Sequence, residues 1–159
     1  YYKPEHFVKL GRKKIERLIK KIGIFRIKAK SIYFMSKQLI EKHNGKVPKS
    51  FEELESLPGV GHKTASVVMS QGFGLPAFAV DTHIHRLAQR WGLTSGANVV
   101  QTEKDLKSIF PINTWSKLHL QIIFYGREFC KARSCYGISC KICTICYPKR
   151  RKPIKTKKA

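Results

Sequence analysis

Residues 57–65 read LPGVGHKTA, and most of what can be inferred about this chain starts from them. Gly59 and Gly61 stand two apart between helical segments, and glycine lets the backbone turn sharply with no side chain in the way. The first N–H groups of the following helix are unpaired, and with the positive end of the helix dipole they can form a phosphate site. Pro58 and Val60 also fit a plain structural role, stiffening the turn and packing beneath it. The spacing alone leaves both interpretations open, a phosphate-binding hairpin and an ordinary tight turn.

The spacing of apolar residues is helical on both sides of this turn, and no alternating pattern is long enough for a strand. Ser50 and Glu53 resemble a capping box for a short helix. Asp81 is placed as the N-cap of a helix that carries Ile84 and Leu87. Further helices are predicted over about residues 15–22, 27–43, 63–71, 99–110 and 114–127. The sequence therefore predicts an all-α fold with two helical lobes.

The charge of the chain points to a polyanionic partner. Thirty-two Lys and Arg against ten Asp and Glu give a formal net charge of +22, and nucleic acid is the first candidate for such a balance. A solvated basic surface is the alternative. Lys9–Lys30 carries ten basic residues with Glu16 as the only acid, and residues 148–159 carry seven with none. We expect the second stretch to be a disordered tail that adds salt-sensitive phosphate affinity.

Length and hydropathy indicate a globular protein. The 159 residues are 42% hydrophobic, which is enough for a core. No apolar run approaches the ~18 residues of a membrane-spanning helix, and the first ten residues lack the apolar core of a secretory signal. We expect a soluble, intracellular protein with no membrane partner.

All five cysteines lie between Cys130 and Cys146. A disulfide framework would be spread along a short secreted chain, whereas this clustering favours one metal site in a reducing compartment.

Residues 57–65, followed by residues 80–84 with the sequence VDTHI, resemble the helix-hairpin-helix signature of the endonuclease III family. The resemblance extends from about Gly11 to the cysteines. It implies the helix-hairpin-helix DNA glycosylase fold, with a helical domain over residues 1–110 whose hairpin spans about 51–71. A C-terminal helix and an iron-sulfur cluster loop would follow over 111–147, and the basic tail over 148–159.

The resemblance also implies an activity. Lys63 matches the family's nucleophile and Asp81 the aspartate that assists it, so the chain is expected to be a base-excision repair DNA glycosylase with AP lyase activity. It would remove oxidised pyrimidines and cleave 3′ to the abasic site through a lysine Schiff base. Relatives that excise adenine usually lack this lysine, so Lys63 favours the bifunctional branch. The implied DNA contacts are Leu57, Gly59, Val60, Gly61, His62, Lys63 and Thr64.

The chemistry constrains the same two residues. A lysine of ordinary pKa is protonated at neutral pH and cannot attack, so we expect Lys63 to be partly buried. Without the resemblance, Lys63 would be a phosphate contact and Asp81 only a helix cap.

His83 and His85 are two apart on a helix and face different ways, so they are not expected to share a metal.

The cysteines resemble the family's C-x6-C-x2-C-x5-C loop, which holds a [4Fe-4S] cluster. Counted from Cys130, that pattern needs a ligand at position 137, which is Gly. The expected ligands are therefore Cys130, Cys140, Cys143 and Cys146, with Cys135 as a substitute. Zinc held by four cysteines is the alternative. Nearby cations could contact phosphate, namely Arg127, Lys131, Arg133 and Lys141.

The expected partner is double-stranded DNA with damaged bases or abasic sites, bound by a monomer in the bacterial cytoplasm (nucleoid), or in a nucleus or organelle if the source is eukaryotic. The family carries several helices before the point that Tyr1 matches, so a fragment or a truncated protein is expected. One alternative is a non-catalytic helix-hairpin-helix DNA-binding module. Another is a zinc-stabilised domain that associates with RNA or the ribosome.

Overall fold

Helices follow one another along the whole chain in the computed structural model, which describes residues 1–159. No residue forms a strand, so the all-α prediction is confirmed. No helix combines the length and the apolar character needed to cross a membrane. The α-helices are α1 (Pro4–Leu10), α2 (Arg12–Leu18), α3 (Phe25–His43), α4 (Phe51–Glu55), α5 (His62–Val67), α6 (Thr82–Trp91), α7 (Val99–Ile109), α8 (Trp115–Glu128) and α9 (Lys141–Cys146).

Two compact units divide the chain, residues 1–65 and residues 66–159. The boundary predicted near residue 110 is therefore not where the structure has it. Leu106 of α7 and Ile122 of α8 lie in the same buried cluster as Ile84 of α6. Because helices on both sides of residue 110 fill one core, the division falls earlier, within α5 of the hairpin.

In the first unit, α1 and α2 pack against the long helix α3. The buried apolar side chains are Ile15, Ala29, Leu39, Leu54, Leu57 and Ala65. Helix α3 ends as predicted, with Asn44 in the left-handed conformation at φ 50°.

The end of α2 differs from the prediction, which extended the helix to about Ile22. The helix stops at Leu18, and a turn follows in which the Ile22 N–H donates to the Ile19 carbonyl. Ile24 then adopts a left-handed conformation with φ 52°. As a result Leu18 and Ile22 remain exposed rather than joining the core.

The second unit is built around α6, which packs against α7, α8 and α9. Its apolar face, formed by Ile84, Leu87 and Ala88, is buried. A short π-helical turn over Val68–Gly72 follows α5, and a buried segment over residues 77–80 then leads into α6. This segment carries the chain to Asp81.

The C-terminal residues have no regular secondary structure, but hydrogen bonds attach them to α6 and to the cysteine segment. The Lys157 N–H donates to Oε1 of Gln89 at 2.7 Å, and Nε2 of Gln89 donates to the Lys157 carbonyl at 3.1 Å. Nη1 of Arg150 donates to the carbonyls of Arg90 (2.8 Å) and Gly137 (3.0 Å). The tail was expected to be disordered, but these hydrogen bonds dock it. The prediction failed because its charge pattern does not reveal these polar contacts.

Candidate active site and metal centre

The predicted hairpin is present between α4 and α5. Ser50 caps α4 as expected, accepting a hydrogen bond from the Glu53 N–H at 3.2 Å. The turn closes when the Val60 N–H donates to the Leu57 carbonyl at 3.0 Å. Gly59 has φ 83°, and a Cβ there would lie 2.6 Å from Cβ and Oγ of Ser31. Glycine is therefore required at this position both for the backbone angle and for the close approach of α3.

Most of the predicted DNA contacts are accessible on this hairpin. Gly59, Gly61, Lys63 and Thr64 are exposed, and Val60 is half-buried. Leu57 differs, since its side chain is only 3% exposed and belongs to the core of the first unit. It supports the turn and does not form part of the accessible surface.

Lys63 lies in the first turn of α5 and is exposed. The partial burial that its chemistry led us to expect is absent, because the start of this short helix projects its side chains outward. The neighbouring His62 is held by two groups of the same unit. Its Nδ1 lies 2.7 Å from Oε1 of Glu55, and its ring stacks on Phe51 with centroids 5.4 Å apart.

Asp81 is the N-cap of α6, as predicted. Its Oδ1 accepts a hydrogen bond from the Ile84 N–H at 2.9 Å, and its backbone is extended. The cap fixes the rotamer of the carboxylate at the start of a helix whose positive end favours negative charge.

Three basic side chains lie around the start of α6, namely His83, Arg86 and Arg127. They were not singled out as a group from the sequence. Burial lowers the pKa of His83; Asp81 raises it, while Arg86 and Arg127 lower it. Nη2 of Arg86 donates to the carbonyls of Gly126 (3.3 Å) and Cys130 (3.1 Å). His83 and Arg86 are three positions apart on α6, so the sequence could have indicated that they lie together. It could not have indicated that Gly126 and Arg127 of α8 lie beside them.

His85 has a structural environment. It is 1% exposed, and its Nδ1 lies 2.8 Å from Oγ1 of Thr102. His83 lies on a different side of the helix and is half-buried.

Four cysteines form a buried group that could hold a metal. The Sγ atoms of Cys130, Cys135, Cys140 and Cys143 all lie within 4.8 Å of one another. Two of the separations, from Cys143 to Cys130 and to Cys135, are 3.9 Å. The group sits inside the core of the second unit beside Leu87 and Ile122.

This group differs from the predicted ligand set, which had Cys146 in place of Cys135. Cys146 is exposed at the end of α9, three residues or about 4.5 Å along the axis from Cys143. Cys135 enters the group because Tyr136 (φ 48°) and Gly137 (φ 81°) reverse the chain after it. The substitute cysteine is thus the one that the fold brings in.

Gly137 occupies the position where the family pattern has a cysteine. A Cβ there would lie 2.5 Å from Cγ2 of Ile154 and 3.0 Å from Nη1 of Arg150. The docked tail and the positive φ of Gly137 therefore both disfavour a side chain at this position.

The four thiols have different acidities. Burial raises the pKa of the Cys130 thiol to about 11 and also raises the pKa of Cys143. Burial acts in the same direction on Cys135, but hydrogen bonds from the backbone of Ser139 and Cys140 outweigh it and lower the pKa to about 5. The lowered pKa favours the thiolate of Cys135, the form that binds metals.

Arg90 is a further residue that the sequence did not reveal. It is 2% exposed, and its guanidinium donates to the carbonyls of Lys131 (2.9 Å) and Ala132 (3.0 Å) at the start of the cysteine loop. Arg90 follows Leu87 by three positions on the buried face of α6. This spacing was the one signal in the sequence that Arg90 would be buried.

The fold and these features define the class of protein. Residues 1–111 match the family described as HhH-GPD superfamily base excision DNA repair protein. Endonuclease III of Bacillus subtilis is 42% identical over 147 residues, which cover 92% of this chain and 67% of that protein. Endonuclease III of Synechocystis is 41% identical over 136 residues, covering 85% of this chain and 62% of that protein.

Two solved structures are similar as well. A trapped endonuclease III–DNA covalent intermediate has a TM-score of 0.84 and 43% identity, over 89% of this chain and 67% of that chain. A non-covalent endonuclease III–DNA complex has a TM-score of 0.86 and 42% identity, over 92% and 69%. The chain belongs to the endonuclease III family. The predicted family, fold and enzyme class, a base-excision DNA glycosylase with AP lyase activity, are confirmed.

The chain does not span the full length of these proteins. It covers 67% of the Bacillus protein and 62% of the Synechocystis protein. The residues that would carry the activity, the damaged base and the cofactor are therefore addressed as proposals.

Proposed function

We propose that this chain removes oxidised pyrimidines from DNA and cleaves the abasic site, with Lys63 as the nucleophile and Asp81 as its acid–base partner. The observation that carries this proposal is that an exposed lysine opens the helix after the hairpin, in a chain that is 43% identical to an endonuclease III trapped as a covalent DNA intermediate. A lysine amine is one of the side chains that can form a covalent intermediate, through a Schiff base.

The reaction proceeds in two stages. The neutral Lys63 amine attacks C1′ of the damaged nucleoside, the base leaves with the electron pair of the glycosidic bond, and a proton from the amine is lost. The nitrogen lone pair then forms a C1′–N double bond as the C1′–O4′ bond breaks and O4′ takes up a proton, so the sugar ring opens to an iminium. This iminium acidifies the C2′ hydrogen. Loss of that proton to a base expels the 3′ phosphate by β-elimination and breaks the strand on the 3′ side.

Activation of Lys63 is then the central requirement, because an ordinary lysine is protonated at neutral pH. Lys63 is exposed in the free chain, so we infer that bound DNA covers it and removes its water. Asp81 has Oδ1 engaged by the Ile84 N–H, which leaves Oδ2 to accept a proton or to stabilise positive charge on the sugar.

DNA would bind through the backbone of the hairpin and the cations around the cysteine loop. Gly59, Gly61 and Thr64 are exposed on the hairpin, and contacts to phosphate there do not depend on base sequence. The exposed cations of the loop are Arg127, Lys131, Arg133 and Lys141. The substrate is a duplex whose damaged base is flipped out, which is least costly for a weakly paired base.

We also propose that the protein acts as a monomer and that it does so in the bacterial cytoplasm.

The cysteine group is proposed to hold a [4Fe-4S] cluster through Cys130, Cys135, Cys140 and Cys143. Family membership supports this choice, and four buried thiols with one favoured as thiolate fit the group. When bound, the cluster would link Cys130, just after α8, to Cys135 and Cys140 of the loop and to Cys143 of α9. Zinc is the alternative, and the two 3.9 Å separations suit it, since ligands of a tetrahedral zinc lie about 3.8 Å apart. Two measurements on the purified protein separate iron-sulfur from zinc: its iron and zinc content, and the absorbance at about 400 nm that is typical of iron-sulfur clusters.

Borohydride trapping on a duplex with one abasic site tests the proposed activity. The chain should form a covalent complex that is lost in Lys63→Ala, while Lys46→Ala, which removes another exposed lysine of the same unit, should trap normally. A complex that persists in Lys63→Ala would mean that another amine is the nucleophile. No complex from the folded, metal-loaded protein would favour the non-catalytic DNA-binding module.

The role of Asp81 is tested by a matched pair of variants. Asp81→Asn keeps an oxygen that can cap α6 but removes the acid–base group, whereas Asp81→Ala removes both. We expect Asp81→Asn to slow trapping strongly with normal stability, and Asp81→Ala to lose in addition about 1 kcal/mol of stability. Equal trapping rates for Asp81→Asn and the unsubstituted protein would assign Asp81 to capping alone.

A further inference from the structure

We propose that His119 is a positioning residue for the reaction, because it fixes the segment that delivers Asp81. This inference rests on the proposed role of Asp81. His119 lies on α8, 38 positions along the chain from Asp81, and nothing in the local sequence of either residue links them.

His119 is buried and bonded to the main chain just before Asp81. Its side chain is 3% exposed, and its Nδ1 lies 2.7 Å from the carbonyl oxygen of Ala79. A carbonyl only accepts, so Nδ1 carries the proton and donates. The acceptor lies two residues before Asp81, which corresponds to about 7 Å of extended chain.

The segment held in this way has no helix or strand to fix it. Residues 76–80 have no regular secondary structure, and Ala77, Phe78 and Ala79 are at most 1% exposed. A buried carbonyl that belongs to no helix or strand needs a donor from elsewhere. His119 supplies that donor to Ala79, so the imidazole sets where the chain enters α6.

Helix α8 holds the start of α6 from the other side as well. The carbonyl of Gly126 accepts from Nη2 of Arg86 at 3.3 Å. The two contacts lie seven residues apart on α8 and flank Asp81, one before it and one after it. Between them the carboxylate has its rotamer fixed by the Ile84 N–H. The position of its oxygens is therefore determined by α8 as well as by its own helix cap.

The variants His119→Leu and His119→Asn form a matched pair for testing the hydrogen bond from His119 to the Ala79 carbonyl. The two side chains have nearly the same size and shape, and an asparagine amide nitrogen occupies the place of Nδ1 of histidine. His119→Asn therefore keeps a donor for the Ala79 carbonyl, and His119→Leu removes it. The readout is the rate of borohydride trapping on an abasic-site duplex at saturating DNA, with the dissociation constant measured separately.

We expect His119→Leu to trap about tenfold to a hundredfold more slowly, since a small displacement of a catalytic group has effects of this size. Its DNA affinity should stay within about twofold, because the loss is confined to the reacting geometry. His119→Asn should restore most of the rate. Equal rates for His119→Leu and the unsubstituted protein would overturn the proposal, and so would equal losses in the leucine and asparagine variants.

If His119→Leu does not fold, His119→Gln takes its place. The longer side chain carries its amide beyond the position of Nδ1, so we expect trapping as slow as that predicted for leucine. A glutamine variant with a normal rate would contradict the proposal.

A second measurement does not depend on the activity. Amide hydrogen exchange of Ile84 reports the cap that Asp81 forms, and it should accelerate when His119 can no longer donate and recover in His119→Asn. Unchanged exchange in the leucine variant would reject the positioning role. If the unsubstituted protein forms no covalent complex, the proposed function fails, and the exchange comparison still decides the role of His119.

Discussion

The guanidinium of Arg90 donates a hydrogen bond of 3.2 Å to the Sγ of Cys130. The same buried side chain donates to three carbonyls of the cysteine loop, those of Cys130, Lys131 and Ala132. One cation from α6 therefore donates to a sulfur of the proposed metal site and to the main chain that leads away from it. Donors of this kind orient ligands and tune the bound metal.

Arg90→Met should accordingly destabilise the second unit. Three carbonyls lose their donor at a cost of about 1 kcal/mol each, so we expect a loss of about 3 kcal/mol in the free energy of unfolding and faster release of metal to a chelator. Denaturant titration measures the first effect. Arg12→Met is the control, since Arg12 is exposed and pairs only with Glu16, and it should change stability by less than about 0.5 kcal/mol. Equal effects of the two substitutions would show that the buried contacts contribute little.

The ligand set can be tested with two cysteine variants. Cys135→Ser should reduce the metal content strongly, whereas Cys146→Ser should leave it unchanged, because only Cys135 belongs to the buried group. In the unsubstituted protein, a thiol reagent should label Cys146 alone. Loss of metal from Cys146→Ser with retention in Cys135→Ser would restore the set predicted from the sequence.

Gly59 and Gly61 offer a matched comparison within the hairpin. Gly59→Ala places a Cβ 2.6 Å from Ser31 at a positive φ, whereas a Cβ at Gly61 meets nothing within 4 Å. The left-handed conformation alone costs about 1–2 kcal/mol for a residue with a side chain. We therefore expect Gly59→Ala to lower the urea midpoint of unfolding clearly and Gly61→Ala to have little effect. The reverse order would mean that the turn adopts another conformation in solution.

Docking on α6 is observed for the tail, and contact with DNA phosphate is proposed for it. Variants can separate these two roles. Changing Lys155, Lys157 and Lys158 together to Gln removes charge but keeps the main-chain bonds between Lys157 and Gln89. The salt dependence of DNA affinity should then fall by about 0.9 in slope for each phosphate that the tail no longer neutralises. Deletion of residues 148–159 should reduce the slope further and also destabilise the loop, since Arg150 is removed. A slope unchanged by both changes would exclude tail contacts to phosphate.

Much of the fold could be read from the sequence because its signals are local. The Ser50 and Asp81 caps, the left-handed Asn44 at the end of α3 and the glycine turn at residue 59 depend on residues within a few positions of each other. The end of α2 could not be read, because the apolar spacing of Leu18 and Ile22 suggests burial but no partner covers them.

The sequence by itself determined the helical class, the hairpin, the family and the candidates Lys63 and Asp81, since each rests on residue types at short spacing. The tertiary structure decided which cysteines come together, because the turn at Tyr136 and Gly137 and the docked tail fix that loop. It also assigned Arg90 to the cysteine loop and His119 to the segment before Asp81. These contacts join residues about 40 positions apart, and only the packing of α8 and the loop against α6 brings them within hydrogen-bonding distance.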